Sequence, residues 1–368
     1  MRVLVVSREL PPVGGGAGYV AMNLASCLVG RGHDVHIVTM HQGDLVEREV
    51  IDGVHVQRLR VGRAQEDSSY VPEMARFVRR ARKRVAEMSD DDAFDVAHAH
   101  AIIPDGLVLR AANPTARTVV TAHGSDVPAY NPDRFQALHH VIRPLWLRAV
   151  RWPAVVTAPS EHLRTLIDQA GAKRPVAVIP NGIDTSTFDR QPKDRSILVV
   201  SRLVRRKNIH LLLDALRRFP TSTAVHIVGD GPERARLEEL ARGLEHHDVN
   251  FHGWLSHGSA QWKALYEGSR FFVAPSNSEN FPINLLEAQL ARMVVIASDI
   301  PGHREVLGGS ARYFGQLTES GLLSTLREAL DADDYELERE GDQAAQRVFD
   351  KFSWERITDA FEEVYADG

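Results

Sequence analysis

Residues 271–289 read FFVAPSNSENFPINLLEAQ. Phe271, Phe272, Val273 and Ala274 form the short apolar run of a buried strand, Pro275-Ser276-Asn277-Ser278 a polar turn, and a helix is expected to begin at Pro282. A strand's carboxyl end therefore meets a helix's amino end. In an open parallel sheet ligands sit at that junction, because backbone N–H groups and the positive helix end point outward there. Glu279 lies on the turn and Glu287 ~7.5 Å down the helix from Pro282. Both carboxylates are pure acceptors, which suits hydroxyl groups spread along an elongated ligand, a sugar at one end and a ribose at the other. Two solvated surface charges would have the same spacing, so the remainder of the chain has to decide.

At 368 residues the chain exceeds one ordinary core and suits two domains. Its 43% hydrophobic and 25% charged residues are ordinary for a soluble globular protein. The single cysteine, Cys27, makes no internal disulfide and supplies no CxxC metal site, which favours a reducing cytoplasm. A net charge of −5 argues against nucleic acid as a partner. No apolar run reaches membrane-spanning length, and the start MRVLVVSREL is too short in apolar residues for a secretory signal, so the fold is expected to begin at residue 1.

Val3–Val6 read as a first strand, Gly14, Gly15, Gly16 and Gly18 as a loop leading into a helix from Val20, and Val35–Thr39 as a second strand. A glycine loop lets backbone approach an anion. The dinucleotide fingerprint is broken, however: Tyr19 stands where a third glycine would fall, and the second strand runs into Met40-His41 rather than an acid, which disfavours a nicotinamide dehydrogenase. Residues 74–88 hold Arg76, Arg79, Arg80, Arg82, Lys83 and Arg84 on a helix that either lies on an anionic membrane or is simply solvated. A second basic segment, 130–152, carries Arg134, His139, His140, Arg143, Trp146 and Arg148. His98-Ala99-His100 and His123-Gly124-Ser125-Asp126 close two further strands. His-x-His with a later His and Asp invites a metal-hydrolase reading, but no His-Glu-x-x-His completes it. A structural role is expected of His98 and an active-site role of His123. Residues 187–195 are polar and contain Pro192, which places the boundary between a 1–187 domain and a 188–351 domain there. The second half then resumes the alternation, with the basic loop from Arg202 to Lys207 between strand and helix, where cations can reach an anion. Trp354, Ile357, Phe361 and Val364 share one face of a final helix.

Taken in order, GGGAG, HGSD, IPNGID, SRLVRRKN, VGDGP, FHGWL, ENFPINLLE and PGHRE resemble the family-4 retaining glycosyltransferases over nearly the whole chain. The resemblance implies an α/β GT-B fold, two Rossmann-like domains with parallel sheets facing a crevice, the helix of 352–368 rejoining the first. It implies transfer of a hexosyl group from a UDP- or GDP-hexose to a glycan, lipid-linked or small-molecule hydroxyl, with retention, no metal and no cofactor beyond the donor substrate. Arg202 and Lys207 would clamp the diphosphate, Gly15 or Gly16 would offer backbone N–H groups, Glu287 would bind the ribose, Glu279 the transferred sugar, and Leu255 would lie beside the base. Asn280, Phe281, Pro282 and Ile283 would complete the donor site, with Asn280 standing where the family often has glycine. His123 would sit at the reacting sugar, with His100 and Asp126 on the acceptor side. The expected location is the cytoplasm, at the inner face of the membrane where the acceptor is a lipid. A glycosidase built on Glu279 and Glu287, and an epimerase or binding protein of the same fold, are the competing readings.

Overall fold

The computed structural model describes residues 1–13, 15–63, 70–91, 93–128, 130 and 136–366, without the side chains at 91 and 136–141. Gly14 and Arg134 therefore lie outside the described residues, as do the side chains of His139 and His140. The chain divides into two compact units, Met1–Gly182 with Trp354–Gly368, and Ile183–Ser353. The crossing precedes the polar 187–195 segment because Ile183 is already buried in the second unit's core.

The first unit runs β1 (Arg2–Val6), α1 (Gly16–Gly30), β2 (Asp34–Met40), β3 (Arg48–Ile51), β4 (Val54–Leu59), α2 (Val71–Asp91), β5 (Val96–Ala99), α3 (Asp105–Ala112), β6 (Arg117–Thr121), α4 (Gln136–Arg151), β7 (Val155–Ala158), α5 (Glu161–Gln169) and β8 (Ala177–Val178). Its sheet has the order β3-β4-β2-β1-β5-β6-β7-β8, parallel except for the antiparallel β3 edge. Hydrophobic runs such as RVLVV in β1 are buried on both faces, as parallel strands covered by helices require. The β3–β4 hairpin falls in a stretch with no clear sequence signal, because β3 alternates exposed and half-buried residues at the edge. In α2, Phe77, Ala81, Val85 and Met88 are buried in this unit's core and Arg79, Arg80, Arg82 and Lys83 face outward. The apolar face that an interfacial helix would insert into lipid is thus covered by protein.

The second unit runs β9 (Asp194–Val200), a 3₁₀ turn (Arg205–Lys207), α6 (Ile209–Leu216), β10 (Ala224–Val228), α7 (Arg234–Arg242), β11 (Asp248–Gly253), α8 (Ala260–Gly268), β12 (Ser269–Ala274), α9 (Ile283–Leu290), β13 (Val294–Ser298), α10 (Pro301–Leu307), β14 (Arg312–Phe314), α11 (Glu319–Asp331) and α12 (Asp334–Phe352). The sheet order β11-β10-β9-β12-β13-β14 is parallel throughout. Strand period decides how β12 is held: Phe271 and Val273 pack in one core cluster, Phe272 and Ala274 in the cluster on the other face. The last helix, α13 (Trp354–Ala366), belongs to the first unit. Its buried face is Trp354, Ile357, Thr358, Phe361 and Tyr365, so Tyr365 takes the place expected of Val364, and its hydroxyl contacts His98 Nδ1 at 2.8 Å. Among the described residues no helix is long and apolar enough to cross a membrane.

Candidate active site

In the second unit, β9 and β12 are neighbours, and their carboxyl ends lie beside the start of α9. Asn284 Nδ2 donates to the Val200 carbonyl at 2.7 Å, pinning α9 to the end of β9. The basic 3₁₀ turn closes on Asn208, which adopts a left-handed conformation (φ +50°) and donates from Nδ2 to Pro275 O at 3.2 Å. Asn277 N donates to Arg206 O at 3.0 Å, so the basic turn and the 275–279 turn are stitched together. The result is an ion pair between Lys207 Nζ and Glu279 Oε1, with side chains only 14% and 9% exposed. Burial works to raise the Glu279 pKa, but the charge and hydrogen bond of Lys207, helped by His303 and Ser276, outweigh it and hold the carboxyl below its ordinary value. Gly302 makes this approach feasible, since a Cβ there would stand 2.2 Å from the Glu279 carbonyl oxygen. His303, which follows it, is buried and hydrogen-bonded through Nδ1 to Ser298 O at 2.9 Å. Arg202 is exposed two residues past β9, beside Gly229 (φ +128°), where a Cβ would stand 1.9 Å from Ser201 O.

One turn deeper on α9, Glu287 is held from two sides. Tyr266 donates its hydroxyl to Oε2 at 2.7 Å and His257 Nε2 meets Oε1 at 3.0 Å. Tyr266 is fully buried, and burial followed by the Glu287 charge pushes its phenol well above the ordinary value, so it remains a donor. Both Tyr266 and His257 lie outside the motifs; only the tertiary fold brings them to Glu287. Pro282 proves to be the N-cap, with extended backbone (ψ 115°), and Ile283 the first helical residue. Pro282 C=O accepts from Leu285 N, the bond of a residue half inside the helix. Phe281 packs edge-on against Phe352 in the core, so its side chain supports the site rather than lining it. Asn280 is 6% exposed, and Leu255 is half-buried against the same core.

The first unit gathers its polar residues differently. Asp126 accepts backbone N–H bonds from His123 and Gly124 at 3.0 Å each and from Ile102 at 2.7 Å. This holds His123, whose Nε2 lies 3.2 Å from His100 Nδ1 with the two rings stacked. His98 is wedged between the Tyr365 hydroxyl and Thr121 Oγ1. Burial drives all three imidazoles neutral: His98 to about 3, His123 to about 4, and His100 well below its ordinary value. Three charged neighbours belong to the same cluster. Arg8 pairs with Glu9 at 3.4 Å, and Arg8 N donates to Asp105 Oδ1 at 3.2 Å. Asp105 is fully buried, and that burial raises its pKa to about 7 against the pull of Arg8. Gly15, the N-cap of α1, donates its N–H to Glu9 Oε2 at 3.1 Å, so that hydrogen is engaged within the unit; Gly16 opens the helix. Of the three charged residues Arg8, Glu9 and Asp105, none stands in the motifs singled out from the sequence. For a metal, the grouping present among the described residues is Asp34, His36 and His55, with ligand atoms within 4.8 Å of one another at the opposite end of the strands.

Parallel-sheet α/β units with a charged strand-end site define a protein of the GT-B fold. Solved structures agree: sucrose-phosphate synthase from Thermosynechococcus elongatus is similar with a TM-score of 0.84 at 19% identity, over 99% of this chain and 98% of that one. The HepE protein of Anabaena in complex with UDP-glucose is similar with a TM-score of 0.76 at 18% identity, over 100% of both chains. A sequence profile described as Glycosyltransferase Family 4 matches residues 14–187, and one described as Glycosyl transferases group 1 matches residues 184–324. The chain belongs to the family-4, group 1 glycosyltransferases. Glycogen synthase of Mycobacterium tuberculosis is 27% identical over 405 residues, spanning 99% of this chain and 94% of that protein. One subunit of the phosphatidylinositol N-acetylglucosaminyltransferase of Homo sapiens is 26% identical over 391 residues, spanning 99% of this chain and 75% of that protein.

Proposed function

We propose that this glycosyltransferase moves a hexosyl group from a UDP- or GDP-hexose to an acceptor hydroxyl with retention and without a metal ion. The observation that carries the reading is the Lys207–Glu279 pair at the meeting of β9, β12 and α9. It sets a cation for the diphosphate beside an anion for the sugar hydroxyls, next to a helix amino end that favours negative charge. The bond from the sugar's anomeric carbon to the phosphate oxygen breaks, and its electron pair leaves with the nucleoside diphosphate. Arg202 and Lys207 neutralise that developing charge. The acceptor oxygen forms the new bond on the same face, and its proton passes to the departing phosphate oxygen. Glu287, steadied by Tyr266 and His257, receives the ribose hydroxyls, and Leu255 lies against the base. Asn280, Pro282, Ile283 and the Phe281 backbone line the donor site. His123, neutral and backed by His100 and Asp126, takes a hydroxyl hydrogen bond on the acceptor side. A glycosidase built on Glu279 would need that carboxyl free, and it is instead paired with Lys207.

The HepE complex with UDP-glucose supports a UDP-hexose donor. Relatives named for glycogen and for phosphatidylinositol support a glycan or lipid acceptor. The outward arginines of α2 fit attachment to anionic lipid at the inner membrane face in the second case. A thermal-shift screen of UDP-, GDP- and ADP-hexoses identifies the donor, and NMR of the product identifies the anomer. The reading expects one nucleotide to raise the melting point and the α-configured donor to give an α-glycoside. Donor binding with no glycosidic product over a broad acceptor panel would favour an epimerase or binding protein instead.

A further inference from the structure

The second unit carries another cationic recess, at the amino-terminal ends of its strands and therefore opposite the strand-end site. It is formed by the 190–193 segment leading into β9, Arg270 near the start of β12, Arg292 just past α9, and Glu338 and Asp342 of α12, with a volume of about 380 Å³ including its mouth. Arg270 is the unusual member. A strand buried along its whole length is otherwise apolar here, SRFFVA, yet it places a guanidinium that is only 8% exposed. Arg270 makes no ion pair among the described residues, and its buried Nε has no hydrogen-bond partner there. Beside it, Lys193 Nζ spends its donors on the carbonyls of Tyr266, Glu267 and Ser269 at 2.7, 2.8 and 3.0 Å. Burial, and then repulsion from Arg270, bring the Lys193 pKa down to about 7. At the rim, Arg190 and Arg292 share the single carboxylate of Asp342, at 3.2 and 3.0 Å. Four basic side chains thus line the recess with two acidic ones, Glu267 and Asp194 act on Lys193 from beside it, and Arg270, the most buried of the four, makes no ion pair among the described residues.

A buried guanidinium without a counter-charge is costly, and its planar fork matches an oxyanion better than any other ligand. We propose that this recess binds a small phosphate-bearing anion, inorganic phosphate or a phosphate monoester, with Arg270 as its central contact and Arg190 and Arg292 closing over it. The site is separate from the donor site and does not depend on the reading of the reaction.

The test is calorimetric titration of the full chain with inorganic phosphate and, separately, with glucose 6-phosphate, at ionic strength held constant with sodium chloride. A saturable binding step is expected that Arg270→Gln abolishes or weakens at least about tenfold, as the loss of a charge-assisted bond implies. The tighter of the two probes identifies whether the ligand is free phosphate or a monoester. Should Arg270→Gln fail to fold, the exposed Arg190→Gln replaces it and is expected to weaken the same step several-fold. Absence of a saturable step, or a step that these variants leave unchanged, overturns the proposal; phosphate bound at Arg202 and Lys207 would show the second behaviour.

Discussion

Both units set polar side chains at the carboxyl ends of parallel strands, yet with opposite electrostatics. In the second, Lys207 and Glu279 stay charged because each compensates the other in a nearly dry site. In the first, His98, His100 and His123 are stripped of charge by burial and linked by neutral hydrogen bonds. The lesson is that burial strips charge from a group whose neighbours do not compensate it, as in the three imidazoles, and leaves it where an opposite charge is in direct contact, as in the Lys207–Glu279 pair.

Breaking the charged site should cost the most. Glu279→Ala leaves the Lys207 ammonium almost buried and unpaired, and should lower the unfolding free energy by about 3 kcal/mol in a urea titration. His123→Ala removes a neutral ring and leaves no stranded charge, so its expected cost is nearer 1–2 kcal/mol. Equal costs would erase the distinction between the two sites.

Acid should weaken the first unit next. The three histidines have folded pKa values depressed below the ordinary 6.5, so between about pH 6.5 and 4 the unfolded first unit binds more protons and its stability drops as the pH is lowered. Asp105, raised to about 7, works the other way over the same range and offsets one of them. Glu279 has a depressed carboxyl pKa, so its contribution is complete above 4.5 and disappears only as pH falls through the lower folded value. Hydrogen exchange, corrected for intrinsic rates, should show β5 and β6 losing on the order of 2 kcal/mol of protection between pH 7 and 5.5; in the second unit the depressed His210, His252 and His303 work in the same direction, while the Glu279 contribution stays in place over that range. Unchanged protection of β5 and β6 at pH 5.5 would contradict the assignment.

How much of this was legible beforehand depends on whether the signal was local. The quoted stretch announced its strand, turn and helix because four consecutive apolar residues and Pro282 speak for themselves, although the helix starts one residue later than Pro282. Lys207 and Glu279 stand in separate local motifs, and the structure brings them together across 72 residues of chain. What could not be read was who holds whom. Tyr266 and His257 reach Glu287 from separate elements, Glu9 takes the Gly15 hydrogen, and Arg8 and Asp105 meet across 97 residues. The β3–β4 hairpin was missed because an edge pair lacks a buried run, and α2 was open to a membrane reading because its charges outnumber the apolar residues that tie it to the core.

Smaller changes sharpen the second site alone. Tyr266→Phe removes one hydrogen bond to Glu287 and keeps the ring, so a loss of about 1 kcal/mol in stability and a higher KM for the donor are expected, with kcat little changed. An unaltered KM would mean that Glu287 needs no steadying. Asn280→Gly, at a buried position beside Glu279, should leave stability within about 1 kcal/mol and shift the ratio of kcat/KM between hexose donors a few-fold. An unchanged ratio would remove Asn280 from sugar selection.

The most direct measurement is calorimetric titration of the wild-type chain and of Lys207→Ala with UDP-glucose and a GDP-hexose. One of the two should bind the wild type saturably, and Lys207→Ala should weaken it by about 30-fold or more, the loss expected when a nearly buried charge contact to phosphate is removed. A folded Lys207→Ala that binds the same donor as tightly as the wild type would contradict the account.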